Sequence, residues 1–357
     1  MRKLFFALIC FGLIANSKAQ DSAYYHTAFN SSGDTLKTNL HNIIKGHTTF
    51  PYSSSSTDVW DMLKQSDKDP NNPNNVILIY SGRSVDAAQE FNNGNGWNRE
   101  HVWAKSRGDF GNNPPAGTDA HHLRPSDISV NADRDNRNFD DCITCIDIID
   151  NGFNTGSKKD ANLWTFEPRD AVKGDIARMI FYMAVRYEGD GNEPDLELSS
   201  TLQSQSSKQP LHAVLNTLLN WNRQDTVDAF ERNRNLAIYN FQGNKNPFID
   251  YPELAEYLWG DSLGLVWKPE ITLVLKNPPD TYIKIYPNPS GNGLFKFLTN
   301  KVPDYLRVYN QLGQEMKQVK PESERIELDL KTFKSGLYLL EIGSGEAINK
   351  KRLIINR

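Results

Sequence analysis

Cysteine is scarce in this chain of 357 residues. It contains three, and Cys10 lies in the apolar N-terminal segment. Cys142 and Cys145 remain, in the run DDCITC. In an exported protein such a close pair predicts a short-loop disulfide. Half of a zinc site is the alternative, but the second cysteine pair that such sites use is missing.

No apolar run in the sequence is long enough to span a bilayer. The longest, residues 4–14, follows Arg2 and Lys3 and precedes the small-residue site SKA at 17–19. This order is typical of a secretory signal peptide, and a membrane anchor is the alternative that its length disfavours. We therefore expect residues 1–19 to be a signal peptide and the mature protein to have no integral membrane span.

The chain also lacks an excess of positive charge, since its formal net charge is −4. The leader holds three cations and no acid, so its loss makes the remainder more acidic. Overall charge therefore gives no support for a polyanionic partner, which would need a local basic patch. Catalytic signatures are missing too. Without a GxSxG turn, a HExxH helix or an unpaired cysteine, serine hydrolases, zinc proteases and cysteine proteases are not indicated.

Residues 20–265 are patterned as one mixed, helix-rich domain. The run VILIY at 76–80 predicts a short buried strand. Apolar residues at helical spacing predict a long helix over 168–187, which also carries a polar stripe of Asp175, Arg178, Tyr182 and Arg186. Further helices are predicted over residues 211–221, 226–241 and 252–260.

The pattern changes after residue 265. Residues 266–281 contain KNPPD and are interpreted as a linker. Over 282–357, period-2 alternation with Asn-Pro and Ser-Gly turns predicts a small all-β sandwich domain. From these residues alone, a sugar-binding or adhesive module is one interpretation of that domain.

Two stretches of the helix-rich domain are dense in ionisable residues: WNREHVW (97–103) and TDAHHLRPSDISVNADRDNRNF (118–139). A charged surface loop is the simplest interpretation, but it accounts poorly for three histidines in one short span. A carboxylate, a carboxamide and an adjacent histidine suit a hard cation such as Mg²⁺ or Ca²⁺. Surrounding arginines suit a phosphodiester. The combination indicates metal-assisted phosphodiester hydrolysis.

These two stretches resemble the bacterial endonuclease I family of secreted, non-specific nucleases. The blocks FEPRDAVKGDIARMIFYMAVRY (166–187) and FERNRNLAIYNFQGNKNPFIDYPELAEYLWG (230–260) resemble later parts of that family, in the same order. The resemblance implies an α+β fold, in which a helix-rich nuclease domain with a ββα-metal (His-Me finger) core precedes the β-sandwich. Ala104 and Tyr251 depart from the family, which usually has Pro and His there.

The resemblance also implies roles for individual residues. His101 would be the general base that takes a proton from the attacking water. Glu100 and Asn131 would hold one Mg²⁺, with Mn²⁺ or Ca²⁺ as alternatives. We expect Ser126 to cap the helix that carries Asn131. One of His121 and His122 would pack beneath this loop as a hydrogen-bond donor, whereas direct binding by histidine would favour zinc.

Six arginines are candidates for binding the phosphates of the substrate: Arg99, Arg107, Arg124, Arg134, Arg178 and Arg186. For Arg178 and Arg186, ion pairs with Asp175 or Glu188 are the alternative. Trp97 and Trp103 are expected in the core beside the strand, with base stacking as the alternative.

The C-terminal domain resembles the type A sorting domain of the type IX secretion system, through IYPNPSGNGLF, VYNQLGQE and SGLYLLEI followed by KKRLI. This implies passage through the periplasm to the cell surface or the medium, with the type IX machinery as a partner.

The sequence thus predicts an exported, monomeric, Mg²⁺-dependent endonuclease that cuts DNA and also RNA, with little sequence preference, and leaves 5′-phosphate ends. Two rivals remain at this point. One is a non-catalytic, surface-displayed module that binds nucleic acid. The other is an exported metal phosphodiesterase that acts on small esters.

Overall fold

The computed structural model describes residues 23–269, 283–299, 301–310, 314–344 and 347–357. These fall into two compact units, an N-terminal unit before residue 270 and a C-terminal unit after residue 282. The predicted signal peptide and the predicted linker beyond residue 269 lie outside the described residues. Among the helices that are described, none is both long and apolar enough to cross a membrane.

The N-terminal unit is rich in helices. In chain order they are α1 (Gly33–Ile44), α2 (Val59–Ser66), α3 (Ile128–Arg134), α4 (Lys173–Arg186), α5 (Leu215–Gln224), α6 (Ala229–Gln242), α7 (Pro247–Asp250) and α8 (Leu254–Trp259). Short 3₁₀ turns lie at His26–Ala28, Asn92–Gly94, Ala116–Thr118 and Asp170–Val172.

Its strands are short and form several small sheets. They are β1 (Asn75–Ile77), β2 (Ser84–Asp86), β3 (Trp97–His101), β4 (Leu123–Asp127), β5 (Asn138–Phe139), β6 (Ile146–Asp150), β7 (Phe153–Asp160), β8 (Thr165–Glu167), β9 (Glu197–Ser199) and β10 (Leu211–Val214). The pairs β1–β2 and β3–β4 are antiparallel, β9–β10 is parallel, and the order β5-β8-β7-β6 makes a four-stranded sheet. Helices beside small, mostly antiparallel sheets agree with the predicted α+β class.

Several predicted boundaries shift for identifiable reasons. The helix predicted from residue 211 begins at Leu215, because residues 211–214 pair with β9 and Ala213 has a φ of 61°, which no helix interior accepts. The helix predicted from residue 226 begins at Ala229, because Asp228 caps it by accepting from the backbone N–H of Glu231. Of the predicted strand at 76–80, residues beyond Ile77 are buried loop.

A disulfide links Cys142 and Cys145 in the loop between β5 and β6. This confirms the predicted pairing. Sulfurs that are bonded to each other are not available as zinc ligands, so half of a zinc site is not the explanation of this pair.

Helix α4 is the centre of the N-terminal unit, and every residue from Gly174 to Arg186 is buried. Its polar stripe is therefore inside the domain. Arg178 donates to both carboxylate oxygens of Glu231, at 2.7 and 2.6 Å, and lies 3.8 Å from Asp175. Arg186 pairs with Glu193 at 2.6 Å. Both arginines are therefore ion-paired, as the alternative expected, but inside the domain and mainly with Glu231 and Glu193. Glu188 pairs with Lys37 instead.

The C-terminal unit consists of strands alone among its described residues: β11 (Ile283–Tyr286), β12 (Leu294–Thr299), β13 (Tyr305–Tyr309), β14 (Glu315–Val319), β15 (Arg325–Asp329), β16 (Gly336–Ser344) and β17 (Ala347–Ile355). The sheets β11-β12-β15 and β14-β13-β16-β17 share one apolar core, built from the alternate residues of their strands. This agrees with the predicted small sandwich.

The buried pair of Arg178 and Glu231 yields a stability prediction. Arg178→Leu should lower the free energy of unfolding by about 3–5 kcal/mol, because it strands a buried carboxylate without its cation. Burial already raises the pKa of Glu231 to about 7. All seven tryptophans precede residue 268, so tryptophan fluorescence in a denaturant titration reports on the N-terminal unit.

The matched control is Arg223→Leu, which breaks the exposed pair with Glu256 and should cost less than about 1 kcal/mol. Equal losses for the two variants would contradict the interpretation.

Candidate active site

Strands β3 and β4 and helix α3 form one continuous strand–strand–helix arrangement. The strands are antiparallel, with His101 opposite Leu123, and α3 follows β4 directly. Asp127 is the N-cap residue of α3, and no side chain caps the helix. The predicted cap at Ser126 is wrong, because Ser126 belongs to β4 and its hydroxyl donates to the carbonyl of Asp127.

The helix packs on the side of β3 that carries Asn98 and Glu100. Asn131 donates from its amide nitrogen to Oδ1 of Asn98 at 3.0 Å. One turn later, Arg134 lies 3.3 Å from Oε1 of Glu100. Residues two apart in a strand and three apart in a helix each share a face. Asn131 and Glu100 are therefore brought to the same side of β3.

His101 follows Glu100 in the strand, and its contacts are with a different set of residues. Its Nε2 bonds to the carbonyl of Gly117 at 3.0 Å, and its ring lies against the rings of Tyr52, His122 and Phe110. Burial lowers the pKa of His101 well below its ordinary value of 6.5, and repulsion from His122 adds to this. The ring is therefore neutral at pH 7. Because Nε2 donates its proton to Gly117, Nδ1 carries the lone pair.

His121 and His122 are both buried and both bond to backbone carbonyls. His122 reaches Ala116 at 2.7 Å, next to the residue that holds His101. His121 reaches the carbonyl of Asn244 at 3.1 Å, away from His101. Both histidines thus donate to backbone carbonyls, and His122 does so beside Gly117. That one of them supports a metal-site loop stays a prediction.

Asp119 anchors the turn that carries Ala116 and Gly117. Its Oδ2 accepts from the hydroxyls of Tyr182 and Tyr187, at 2.8 and 2.9 Å. Its Oδ1 accepts from the side chain of Gln242 at 2.9 Å and from the backbone N–H of His121 at 3.0 Å. A buried carboxylate with four donors holds this loop against α4, and with it the carbonyl that orients His101.

Glu100 is buried and accepts a hydrogen bond of 2.5 Å from the hydroxyl of Tyr80. Burial raises its pKa, against the opposing charge of Arg134. Arg134 also donates to the carbonyls of His101 and Val102. Arg134 therefore links the Glu100 carboxylate to the backbone carbonyls at the end of β3, from the buried side.

The donor chemistry beside α3 fits a hard divalent cation. Asn131 uses its amide nitrogen on Asn98, which leaves its amide oxygen for a cation, and Glu100 supplies a carboxylate on the same side of β3. Oxygens of these two kinds are the ligands that Mg²⁺ and Ca²⁺ prefer. Within the described residues, no group of three or more His, Cys, Asp or Glu side chains is placed to hold a metal ion. Water and substrate oxygens would have to complete the coordination shell.

Five of the six candidate arginines are buried: Arg107, Arg124, Arg134, Arg178 and Arg186. Each is bonded to protein groups. Arg107 donates to the carbonyls of Asn136 and Ser204, and Arg124 pairs with Asp67 and Asp175. These positions do not favour contact with a substrate. Among the six, Arg99 alone is partly exposed.

Lys105 is an exposed cation close to the site. Its charge is among those that lower the pKa of both Glu100 and His101. Its ammonium group donates to the side chain of Asn112 at 2.9 Å, and among the described residues no carboxylate lies within ion-pair distance of it. Trp97 and Trp103 are fully buried, which confirms their expected place in the core.

Sequence reasoning did not find three groups that contact the site: Tyr52, Tyr80 and the carbonyl of Gly117. Tyr52 lies far upstream in a serine-rich loop, and a carbonyl has no sequence signature. For Tyr80 the sequence predicts a buried strand, and this gives no reason to connect it with Glu100.

Comparison with known proteins bears on this geometry. Residues 32–253 match the Endonuclease I family. The chain belongs to that family. Residues 284–356 match a secretion system C-terminal sorting domain, so an endonuclease I domain is followed by a sorting domain. Nucleases of the Endonuclease I family generally depend on a divalent metal.

The relatives of this endonuclease I domain are extracellular nucleases. The extracellular ribonuclease of Bacillus subtilis (strain 168) is 50% identical over 247 residues, 68% of this chain and 80% of that protein. The extracellular ribonuclease of Bacillus amyloliquefaciens is 47% identical over 250 residues, 69% and 81% of the two chains. An extracellular deoxyribonuclease of Aeromonas hydrophila is 30% identical over 138 residues, 37% and 48%.

This protein is therefore a nuclease, and it is secreted or held at the cell surface. The non-catalytic surface module that the sequence left as a rival is disfavoured by these relatives.

The Asp119 anchor in this nuclease can be tested by stability. Asp119→Ala should lower the free energy of unfolding by at least about 3 kcal/mol, because several buried donors lose their acceptor at once. Tyr187→Phe removes one of those donors and should cost about 1 kcal/mol. Denaturant titrations of the two variants would contradict the anchor if Asp119→Ala cost no more than Tyr187→Phe.

Proposed function

We propose that this protein is a divalent-metal-dependent nuclease that hydrolyses DNA and RNA with little sequence preference. His101 acts as the general base, and Glu100 and Asn131 hold one Mg²⁺. The strand–strand–helix arrangement of β3, β4 and α3 is, in this proposal, the ββα-metal core of the family.

The observation that carries the proposal is the hydrogen bond from Nε2 of His101 to Gly117. It leaves the lone pair on Nδ1 of a neutral ring, which is the form of histidine that accepts a proton from water. The neighbouring Glu100 and the Asn131 amide oxygen come to one side of the same strand. The base and the first cation ligand are therefore consecutive residues of β3, and the second ligand lies on α3.

The cation, when bound, would stabilise the negative charge that develops on the phosphate and on the leaving 3′ oxygen. Glu100 and Asn131 hold it, while Tyr80 and Arg134 fix the Glu100 carboxylate. His101 takes the proton of the attacking water. Attack by water on phosphorus with departure of the 3′ oxygen leaves 5′-phosphate and 3′-hydroxyl ends.

This chemistry does not use the ribose 2′-hydroxyl, because the nucleophile is water. Both DNA and RNA are therefore suitable substrates. The names of the relatives support this breadth, since two are called ribonucleases and one a deoxyribonuclease.

Contact with substrate is proposed to be mainly with the phosphate backbone, through Lys105 and the bound cation. Backbone contacts carry no sequence information directly. The five buried arginines are not part of this contact. A phosphodiesterase for small esters is the rival, and it would not need a polymer.

The C-terminal unit is proposed to pass the protein to the type IX secretion machinery. The match over residues 284–356 to a secretion system sorting domain supports this.

The activity test is nicking of supercoiled plasmid and cleavage of a uniform RNA by the purified full chain. We expect cleavage with Mg²⁺, none with excess EDTA, and a loss of at least about a hundredfold in His101→Ala, because proton transfer to a base is removed. His26→Ala, an exposed histidine remote in sequence, is the matched control. Full activity in excess EDTA would refute metal dependence, and an inactive wild type with Mg²⁺, Mn²⁺ and Ca²⁺ would refute the proposal.

Metal binding can be measured without activity, by the loss of the free Mn²⁺ signal in electron paramagnetic resonance. Asn131→Ala and Glu100→Gln should each weaken binding by at least about tenfold, since each removes an oxygen ligand. Asp133→Asn, on the same helix but paired with Lys159, should bind like the wild type. Unchanged binding in both ligand variants would place the cation elsewhere.

A further inference from the structure

We infer that Arg99 and Tyr52 form a positioning device for the His101 ring, and that Arg99 does not clamp a substrate phosphate. The inference rests on the proposed role of His101 as the base. It reassigns the one candidate arginine that is partly exposed.

Arg99 ties the loop before α2 to strand β3. Its Nη1 donates to the carbonyl of Tyr52, and its Nη2 donates to the hydroxyl of Ser53 at 3.1 Å. Its guanidinium carbon lies 3.5 Å from the centre of the Tyr52 ring and 4.0 Å from that of Trp60. Two of its nitrogens and its flat surface are therefore already used by the protein.

Tyr52 in turn contacts the ring of His101. Its ring is within 18° of parallel to the His101 ring, with centroids 5.7 Å apart. The Arg99 guanidinium thus lies over the rings of Trp60 and Tyr52, and the Tyr52 ring is nearly parallel to the His101 ring. A planar guanidinium can stack on an aromatic face, and a lysine ammonium cannot.

The His101 ring needs a support of this kind. Its ring hydrogen bond to Gly117 fixes the position of Nε2 but by itself permits rotation about that bond. The neighbouring rings of Phe110 and His122 are tilted by 52° and 55°, whereas Tyr52 is nearly parallel. A parallel neighbour restricts the plane of the ring and hence the direction of the Nδ1 lone pair. Misplacement of a catalytic group by about 1 Å can cost on the order of a hundredfold in rate.

The alternative is that Arg99 binds phosphate, since no carboxylate lies within ion-pair distance of it among the described residues. The two roles differ in their kinetics. Loss of a phosphate contact raises KM and reduces the salt dependence of binding by about 0.9 in slope for duplex DNA. Loss of a positioning contact lowers kcat and leaves KM and the slope unchanged.

The experiment measures kcat, KM and salt dependence of plasmid nicking for full-chain Tyr52→Phe, Tyr52→Ala, Arg99→Lys and Arg99→Gln. We expect Tyr52→Phe to stay within about twofold of the wild type, because the ring remains. The other three should lose about tenfold in kcat at unchanged KM, which is the upper range for one aromatic stack. The double variant Tyr52→Ala with Arg99→Gln should have a kcat no lower than that of the less active single variant, because both substitutions act through one contact.

A spectroscopic readout accompanies the kinetics. The Cε1–H signal of His101, identified by its absence in His101→Ala, should carry a ring-current shift from Tyr52. Tyr52→Ala, Arg99→Gln and Arg99→Lys should all move it, whereas Tyr52→Phe should not. Arg232→Gln, which removes an exposed cation on α6 that bonds to Val227, is the control for loss of charge.

Arg99→Lys with wild-type kcat, together with raised KM and reduced salt slope in Arg99→Gln, would overturn the inference in favour of a phosphate contact. An unmoved His101 signal in Arg99→Gln would do the same. Failure of the proposed function is distinct, because it would show as nicking that survives His101→Ala. The tryptophan fluorescence transition of each variant verifies that it is folded.

Discussion

The hydrogen bond between His101 and the carbonyl of Gly117 is the contact on which the site depends. It sets the tautomer and the position of the His101 ring, and the groups around it hold one end or the other. On the Gly117 side, Asp119 fixes the turn to Tyr182 and Tyr187 of the central helix region. On the His101 side, Arg134 holds the strand by its carbonyls. The proposed catalytic geometry is thus connected to the most buried part of the domain.

Within the described part of the N-terminal unit, arginine is more often buried than exposed. Four of these buried arginines donate to carbonyls and carboxylates of elements that are far apart in the chain: Arg107, Arg124, Arg134 and Arg178. A guanidinium with five donors suits that role, because it can satisfy several acceptors at once. Arg124, Arg134 and Arg178 are also paired with buried carboxylates, whereas Arg107 bonds to carbonyl oxygens.

The sequence predicted the local arrangement well and the distant contacts poorly. Glu100, His101 and Asn131 occur in two short blocks, and the resemblance to a nuclease family gave each a role before the fold was known. The position of Asn131 relative to Glu100 then follows from strand and helix periodicity. The polar stripe on α4 was identified, but periodicity shows only that residues share a face, not whether that face is covered. Glu231 and Glu193 cover it. Tyr52 could not be found, because its contact with His101 depends on how a loop folds back over β3.

The final strand of the sorting unit, β17, contributes to the core of that unit. Leu353 and Ile355 are buried in the apolar core, and β17 pairs along its whole length with β16. A ribosome that has not yet made residues 347–355 has therefore produced a unit with an open sheet and an incomplete core. A nuclease truncated before residue 347 would therefore keep an unpaired edge on β16 and would lack Leu353 and Ile355 from the core of this unit.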